Sequence, residues 1–411
     1  MITSSLDARS SVTGHYLSRG PDSRGTDSRP LPAGEEDQRM RVLIDATAVP
    51  ADRGGVGRYV DELVPELARL GTDLVLAVQP RDVRHYAGLA PAARVEPAPA
   101  ATARRPARLA WEQTGLPALA RRTGADVIHS PHYTMPLAAG RPVVVTLHDA
   151  TFFTLPELHL RSKAVFFRTA TRVAGRRAAG LVVPSAATRD EVAAHAGVDP
   201  ARMTVAHHGV DLALFHPTDP REQERVRATL DIGDRPYVAF LGTLEPRKNV
   251  PALIRAWVEA CGDAPDAPAL VLAGARGWDH AVDDALAAVP AHLVVRTPGY
   301  LPLADLPGFL AGAAVLAYPS LGEGFGLPVL EAMACGATVL TTRELSLPEV
   351  GGDAVAYCGT DAADVAAALR SLLADPARRA ALGTAARDRA RTFTWERAAR
   401  VHQEVYERAA R

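Results

Sequence analysis

The stretch Val315-Leu-Ala-Tyr-Pro-Ser-Leu-Gly-Glu-Gly-Phe-Gly-Leu-Pro-Val-Leu-Glu-Ala-Met-Ala-Cys-Gly336 runs from an apolar strand-like segment through a glycine-rich turn directly into a helix. Pro328 suits the first helical turn, where its missing N–H costs nothing, and Gly336 suits the helix end. A turn of this kind is a place to hold a phosphate. The backbone N–H groups of Gly324, Phe325, Gly326 and Leu327 would point out of the helix start toward an anion. Glu323 stands in the turn and Glu331 inside the helix. A carboxylate beside a diphosphate is electrostatically unhelpful, so the two acids suit hydroxyl groups such as those of a sugar. The plainer alternative makes Glu331 an ordinary helix residue and Glu323 a helix-start charge favoured by the dipole.

Outward from this stretch, short apolar runs alternate with helical and loop segments. Upstream and downstream, strands are expected at 236–241, 269–273, 292–296, 314–318, 338–340 and 354–357. An earlier half repeats the pattern at 41–48, 74–78, 126–129, 142–147, 181–184 and 203–206. Such alternation indicates parallel sheets with helices on both faces, whose ligands gather beyond the carboxyl ends of the strands. That rule draws in Arg247 and Lys248, just after the strand at 236–241, where a planar fork and a compact charge suit phosphate oxygens. It also draws in His129 and His132 after one strand of the first half and His148-Asp149 after the next. A histidine there could equally serve a neighbouring loop carbonyl. The Gly54-Gly55-Val56-Gly57 turn precedes a helix with Val56, Tyr59, Val60, Leu63, Val64, Leu67 and Leu70 on one face, and Pro65 is expected to kink it.

These residues resemble the retaining glycosyltransferases of family four, which have the GT-B fold: two Rossmann-like parallel-sheet domains facing across a cleft. Glu323 and Glu331 match the family's two glutamates with seven residues between them, in an E-G-F-G-L-P context. Gly242-Thr-Leu-Glu-Pro-Arg-Lys-Asn249 resembles its G-x-x-x-x-x-K-N donor loop, and Leu345-Ser-Leu-Pro-Glu-Val-Gly-Gly-Asp353 its S-x-P-E-x-x-G-D ending. The likeness covers about residues 41 to 405. One departure is Gly336-Ala-Thr-Val339, where the family has Gly-x-Pro-Val. The resemblance implies a retaining, metal-independent hexosyltransferase that uses a nucleoside diphosphate sugar and a hydroxyl acceptor, with no bound cofactor. It implies roles for His148, Arg247, Lys248 and Glu323 in catalysis. Gly54, Gly55, Gly242, Tyr300, Leu301, Gly324, Phe325, Gly326, Leu327 and Glu331 are implied in donor binding, with Tyr300 and Leu301 at the nucleobase and Glu331 at the ribose.

Length and composition bound the rest. The 411 residues suit two domains, expected at 40–216 on the acceptor side and 217–392 on the nucleotide-sugar side, with 217–235 as the connection and 393–411 as a helix returning to the first domain. Residues 1–39, rich in Ser, Arg, Gly, Asp and Pro, read as a disordered leader. A formal net charge of -1 argues against a nucleic-acid partner. Cys261, Cys335 and Cys358 are widely spaced and read as buried apolar residues in a reducing compartment. With neither an 18-residue apolar run nor a signal-peptide core, a cytoplasmic protein is expected. Residues 104–122 and 161–177 are basic and amphipathic, which suits peripheral contact with an anionic inner membrane face or merely a solvated helix surface. Two other classes share the architecture: sugar-nucleotide epimerases, and phosphorylases carrying pyridoxal phosphate. The latter need a Schiff-base lysine, and the chain has only Lys163 and Lys248. A non-catalytic sugar-nucleotide-binding subunit is the third alternative.

Overall fold

The runs of Val, Leu, Ile and Ala pair with one another as parallel strands buried on both faces, as a sheet covered by helices requires. In the computed structural model, which describes residues 40–411 apart from Asp52, Asp263 and Pro265, they form two sheets. The expected leader, residues 1–39, lies outside the described residues.

The first sheet contains β1 (Arg41–Asp45), β2 (Asp73–Val78), β3 (Arg94–Pro97), β4 (Val127–Ser130), β5 (Val143–Thr146), β6 (Gly180–Val183) and β7 (Met203–Val205), in the order β3-β2-β1-β4-β5-β6-β7. The second contains β8 (Tyr237–Leu241), β9 (Ala269–Ala273), β10 (Val295–Gly299), β11 (Val315–Tyr318), β12 (Val339–Thr342) and β13 (Ala356–Cys358), in the order β10-β9-β8-β11-β12-β13. Each sheet starts in its middle and reverses, the first between β1 and β4 and the second between β8 and β11, where Val315 pairs with Val238 and Leu316 with Ala239. A reversal leaves the loops after the two central strands diverging, which opens a crevice at the carboxyl edge. The loops after β8 and β11 carry Arg247, Lys248 and Glu323.

The helix Gly54–Arg69 buries Tyr59, Val60, Leu63, Val64 and Leu67 against the first sheet, and Pro65 lies within its unbroken length. The last helix, Trp395–Ala410, packs on the first sheet rather than the second. Its His402 Nε2 is 2.7 Å from the Tyr59 hydroxyl, and its Tyr406 hydroxyl is 2.8 Å from His129 Nδ1. Both histidines are thus used inside the domain.

Three elements differ from expectation. Residues 217–235 are not a simple connection: Asp219 caps a helix, Pro220–Thr229, at the Glu222 N–H, and Val226 is buried against the helix Leu306–Ala311. That segment is part of the second domain. Strand β3 has no apolar run, because it is a half-exposed edge strand with Arg94 and Glu96 facing outward. Strand β10 ends at Gly299 rather than at Arg296.

Candidate active site

Arg247 and Lys248 belong to a short turn after β8, Pro246–Lys248, whose backbone is closed by the Lys248 N–H donating to the Glu245 carbonyl at 2.9 Å. From there both cations reach Glu323, in the turn after β11. Lys248 Nζ donates to Glu323 Oε1 at 2.6 Å, and Arg247 Nη1 donates to Glu323 Oε2 at 2.7 Å. Ser320 Oγ donates to Glu323 Oε1 at 2.6 Å, and Tyr318 from β11 donates to the same oxygen at 3.1 Å. Arg247 Nη2 donates to Glu245 at 2.7 Å. Two cations therefore face two carboxylates in a largely buried site.

Electrostatics follow from that arrangement. Burial pushes the Glu323 carboxyl up, but Arg247 and Lys248 outweigh it and hold the group down at about 2. Burial and the neighbouring Arg247 pull Lys248 below the usual lysine value, with Glu323 opposing them. The pair is a buried one, so its worth lies in a defined geometry more than in net stability.

The first domain meets this turn from the opposite side. A Cβ placed on Gly324 would fall 1.8 Å from the His148 carbonyl oxygen and 2.9 Å from Asp149 Cβ, so only glycine permits the approach. The Gly324 carbonyl accepts from Ser185 Oγ at 2.7 Å and from Thr188 Oγ1 at 3.1 Å, both at the start of the helix Ala186–Ala196. Glu349 accepts from the N–H groups of Ala186 at 2.9 Å and Ala187 at 3.3 Å, and pairs with His207. A carboxylate thus fills that helix N-terminus, where charge and dipole agree. His148 itself is half-buried, its Nε2 2.6 Å from the Pro131 carbonyl. Burial lowers its pKa, opposed by that bond and by Asp149.

Gly326, with φ of +99°, caps the helix Leu327–Ala334, and Phe325 is buried beside it against His208. Gly242 packs so tightly that a Cβ on Gly274 would strike its carbonyl at 2.1 Å. Gly54 and Gly55 are exposed at the start of their helix, Tyr300 is exposed at the end of β10, and Leu301 is half-buried. Glu331 does not join the Glu323 cluster. It is buried and paired with Arg58 of the first domain. Sequence reading passed over Tyr318, Ser320, Ser185, Thr188 and Arg58. Ser185 and Thr188, spaced as an N-cap and its third following residue, and Arg58, directly after the glycine turn, were the signals available.

Known proteins resemble this chain over both halves. The family description Glycosyltransferase Family 4 matches residues 53–214, and Glycosyl transferases group 1 matches residues 222–389. A D-inositol 3-phosphate glycosyltransferase of Kineococcus radiotolerans is 32% identical over 90% of this chain and 95% of its own length. O-antigen chain mannosyltransferase B of Escherichia coli is 32% identical over 71% of this chain and 74% of its own. Among solved structures, sucrose-phosphate synthase from Thermosynechococcus elongatus superposes with a TM-score of 0.72 at 21% identity, covering 90% of this chain and 98% of its own. Anabaena HepE in complex with UDP-glucose gives a TM-score of 0.69 at 19% identity, covering 90% and 99%. With two parallel-sheet domains of the GT-B fold, both family descriptions matched in order and relatives alike over nearly its whole described length, this chain belongs to glycosyltransferase family 4 and is a glycosyltransferase that uses a sugar donor.

Proposed function

We propose that the protein is a retaining, metal-independent hexosyltransferase that moves a hexosyl unit from a nucleoside diphosphate sugar to an acceptor hydroxyl on a polysaccharide, glycolipid or secondary metabolite. The observation that carries this reading is the buried Arg247, Lys248 and Glu323 cluster at the β8/β11 reversal, directly against the His148-Asp149 turn of the other domain. A departing diphosphate gains charge as its bond to the sugar carbon breaks, and preorganised cations in a dry site stabilise that charge far more than water does. Arg247 and Lys248 supply it once Glu323 turns from them to the hydroxyls of the sugar. His148 and Asp149 approach from the acceptor side. The bond from the sugar carbon to phosphate breaks, the bond to the acceptor oxygen forms on the same face, and the acceptor proton passes to the departing phosphate. No bound cofactor takes part.

The test is stoichiometry. A panel of nucleoside diphosphate sugars is screened for thermal stabilisation, since a ligand of the native state raises its melting temperature. The stabilising donor is then incubated with candidate acceptors. One nucleoside diphosphate released per glycoside formed, with unchanged anomeric configuration, supports the reading. Inversion, or conversion of the donor sugar with no acceptor, overturns it in favour of a different mechanism or of an epimerase; binding without turnover points to a non-catalytic subunit.

A peripheral membrane location, at the inner face, is favoured by one further observation. The helices Arg105–Thr123 and Arg161–Arg177 adjoin, with the Arg105 guanidinium 4.4 Å from the Phe166 ring centroid, and Leu160 and Val165 are exposed beside Arg161 and Lys163. Cations around exposed apolar side chains suit anionic lipid. Sedimentation with phosphatidylglycerol vesicles but not phosphatidylcholine vesicles checks it. Among the described residues no helix is long and apolar enough to cross a membrane.

A further inference from the structure

Arg58 lies one residue beyond the Gly54–Gly57 turn, on the first domain, yet its guanidinium donates to Glu331 of the second. Phe215, in the segment that joins the domains, lies under the guanidinium at 5.3 Å and holds it in place. Glu331 is 3% exposed, and while Arg58 takes its Oε1, its Oε2 is buried without a hydrogen-bond partner. Both residues line a narrow cavity together with Glu62, Asp211, Leu327 and Trp395. A buried carboxylate oxygen left unpaired is costly, and it is most simply satisfied by a hydroxyl donor from a ligand. An anion would be repelled by the surrounding acids.

We propose that Arg58 is a positioning residue for the nucleotide: it fixes Glu331 and supplies its countercharge, so that the second carboxylate oxygen accepts from a ribose hydroxyl of the donor. This rests on the donor being a nucleotide sugar, as proposed above. Burial drives the Glu331 carboxyl above the usual glutamate range, and Arg58 is the group that opposes it. The other titratable groups around the pair carry no positive charge: Glu62, from the helix of Arg58, and Asp211, from the connecting segment, line the same cavity, and Cys335 follows on the helix of Glu331. Remove Arg58, and Glu331 is left among acids with no countercharge, so it takes up a proton and becomes a poorer acceptor. Because Arg58 belongs to the other domain, nucleoside recognition in the second domain depends on the first.

The test is calorimetric titration of the wild type and of Arg58→Ala, Arg58→Lys, Glu331→Gln and the Arg58→Ala/Glu331→Gln double variant with uridine and guanosine mono- and diphosphates. For whichever base the wild type binds, Arg58→Ala is expected to weaken monophosphate and diphosphate alike by about 10- to 100-fold, the effect of one charged hydrogen bond. Arg58→Lys keeps most of the affinity. Two outcomes are those of a positioning role and of no merely structural one. The affinity lost in Arg58→Ala returns as pH is raised and Glu331 ionises, and the double variant is scarcely weaker than Glu331→Gln alone. A loss confined to the diphosphate, a loss indifferent to pH, or additive losses in the double variant would each overturn the assignment. A wild type that binds nucleotide but transfers no sugar defeats the transferase reading and leaves Arg58 standing. Normal transfer with unchanged nucleotide affinity in Arg58→Ala does the reverse, and a wild type that binds no nucleotide defeats both.

Discussion

Lys248 Nζ lies 2.6 Å from Glu323 Oε1, so the cation proposed to meet a leaving diphosphate is paired with the carboxylate proposed to hold the sugar. Arg247 makes the same bargain with the other oxygen of Glu323 and with Glu245. The exchange of partners costs little if the donor brings both an anion for the cations and hydroxyls for the carboxylate. A ligand with only one of the two would leave a buried charge unpaired.

On the proposed mechanism turnover depends on both cations. Arg247→Ala and Lys248→Ala are each expected to lower kcat by at least about 100-fold, since a charge-assisted contact to a transition-state anion is worth about 3 kcal/mol or more. Steady-state kinetics on the donor identified by thermal shift give the answer, and near-normal turnover in either variant would remove that residue from the mechanism.

Metal removal is a further test of the proposed mechanism. Among the described residues there is no group of three or more His, Cys, Asp or Glu side chains placed to hold an ion. In the proposed mechanism the two cations and the N–H groups at the start of Leu327–Ala334 take the part of a divalent ion at the diphosphate. Transfer activity is expected to persist in excess EDTA. Complete loss, restored by Mn²⁺ or Mg²⁺, would contradict the assignment of leaving-group stabilisation to Arg247 and Lys248.

What was legible in the sequence was whatever rests on neighbours along the chain. The apolar runs that became β8, β9 and β11 are continuous because those strands are buried on both faces, and the turn after β11 is read from its own glycines. The edge strand β3 lacked that signal, and Val226 was too little apolar surface to announce its helix by period alone. Partnerships between distant residues had no local trace. Lys248 and Glu323 are 75 positions apart, Arg58 and Glu331 are 273 apart, and Ser185 bonds the carbonyl of Gly324 across 139. The two glutamates therefore look like one motif in the sequence, while folding gives one of them partners in its own domain and the other a partner in the opposite domain.

Buried histidines set the response to acid. Burial lowers His129 and His208 well below the ordinary histidine range, His132 to about 3 and His402 to about 4. In the unfolded chain these four return to about 6.5, so below that pH the unfolded state binds protons that the folded state refuses. Their contribution to stability is intact above about pH 6.5 and is lost as pH falls through 5 and 4. With four such groups the slope approaches about 5 kcal/mol per pH unit, and Glu323 adds to it below its unfolded value near 4.5. Denaturant unfolding between pH 7 and 4.5 checks this. His402→Gln is expected to lower the proton uptake on unfolding by about one, and an uptake below one proton in the wild type would be inconsistent with neutral buried histidines.

The two carboxylates of the organising turn are expected to fail differently when neutralised. Glu323 faces Arg247 and Lys248, where the reacting sugar would lie, whereas Glu331 faces Arg58 and the cavity proposed for the ribose. A ribose contact is made alike in ground and transition states, so its loss raises the donor KM; a contact that orients the reacting sugar is realised mainly in the transition state, so its loss lowers kcat. Glu331→Gln is expected to weaken binding of the free nucleoside diphosphate by about 1 to 3 kcal/mol, the range for a charged hydrogen bond. Glu323→Gln is expected to leave that affinity nearly intact, or slightly improved because Arg247 and Lys248 lose an anionic competitor, while turnover collapses. The free nucleoside diphosphate has the ribose and lacks the hexose, which is why its titration separates the two roles. Equal losses in both variants, or a loss in Glu323→Gln alone, would mean that the sugar and the ribose are held by the opposite members of the pair.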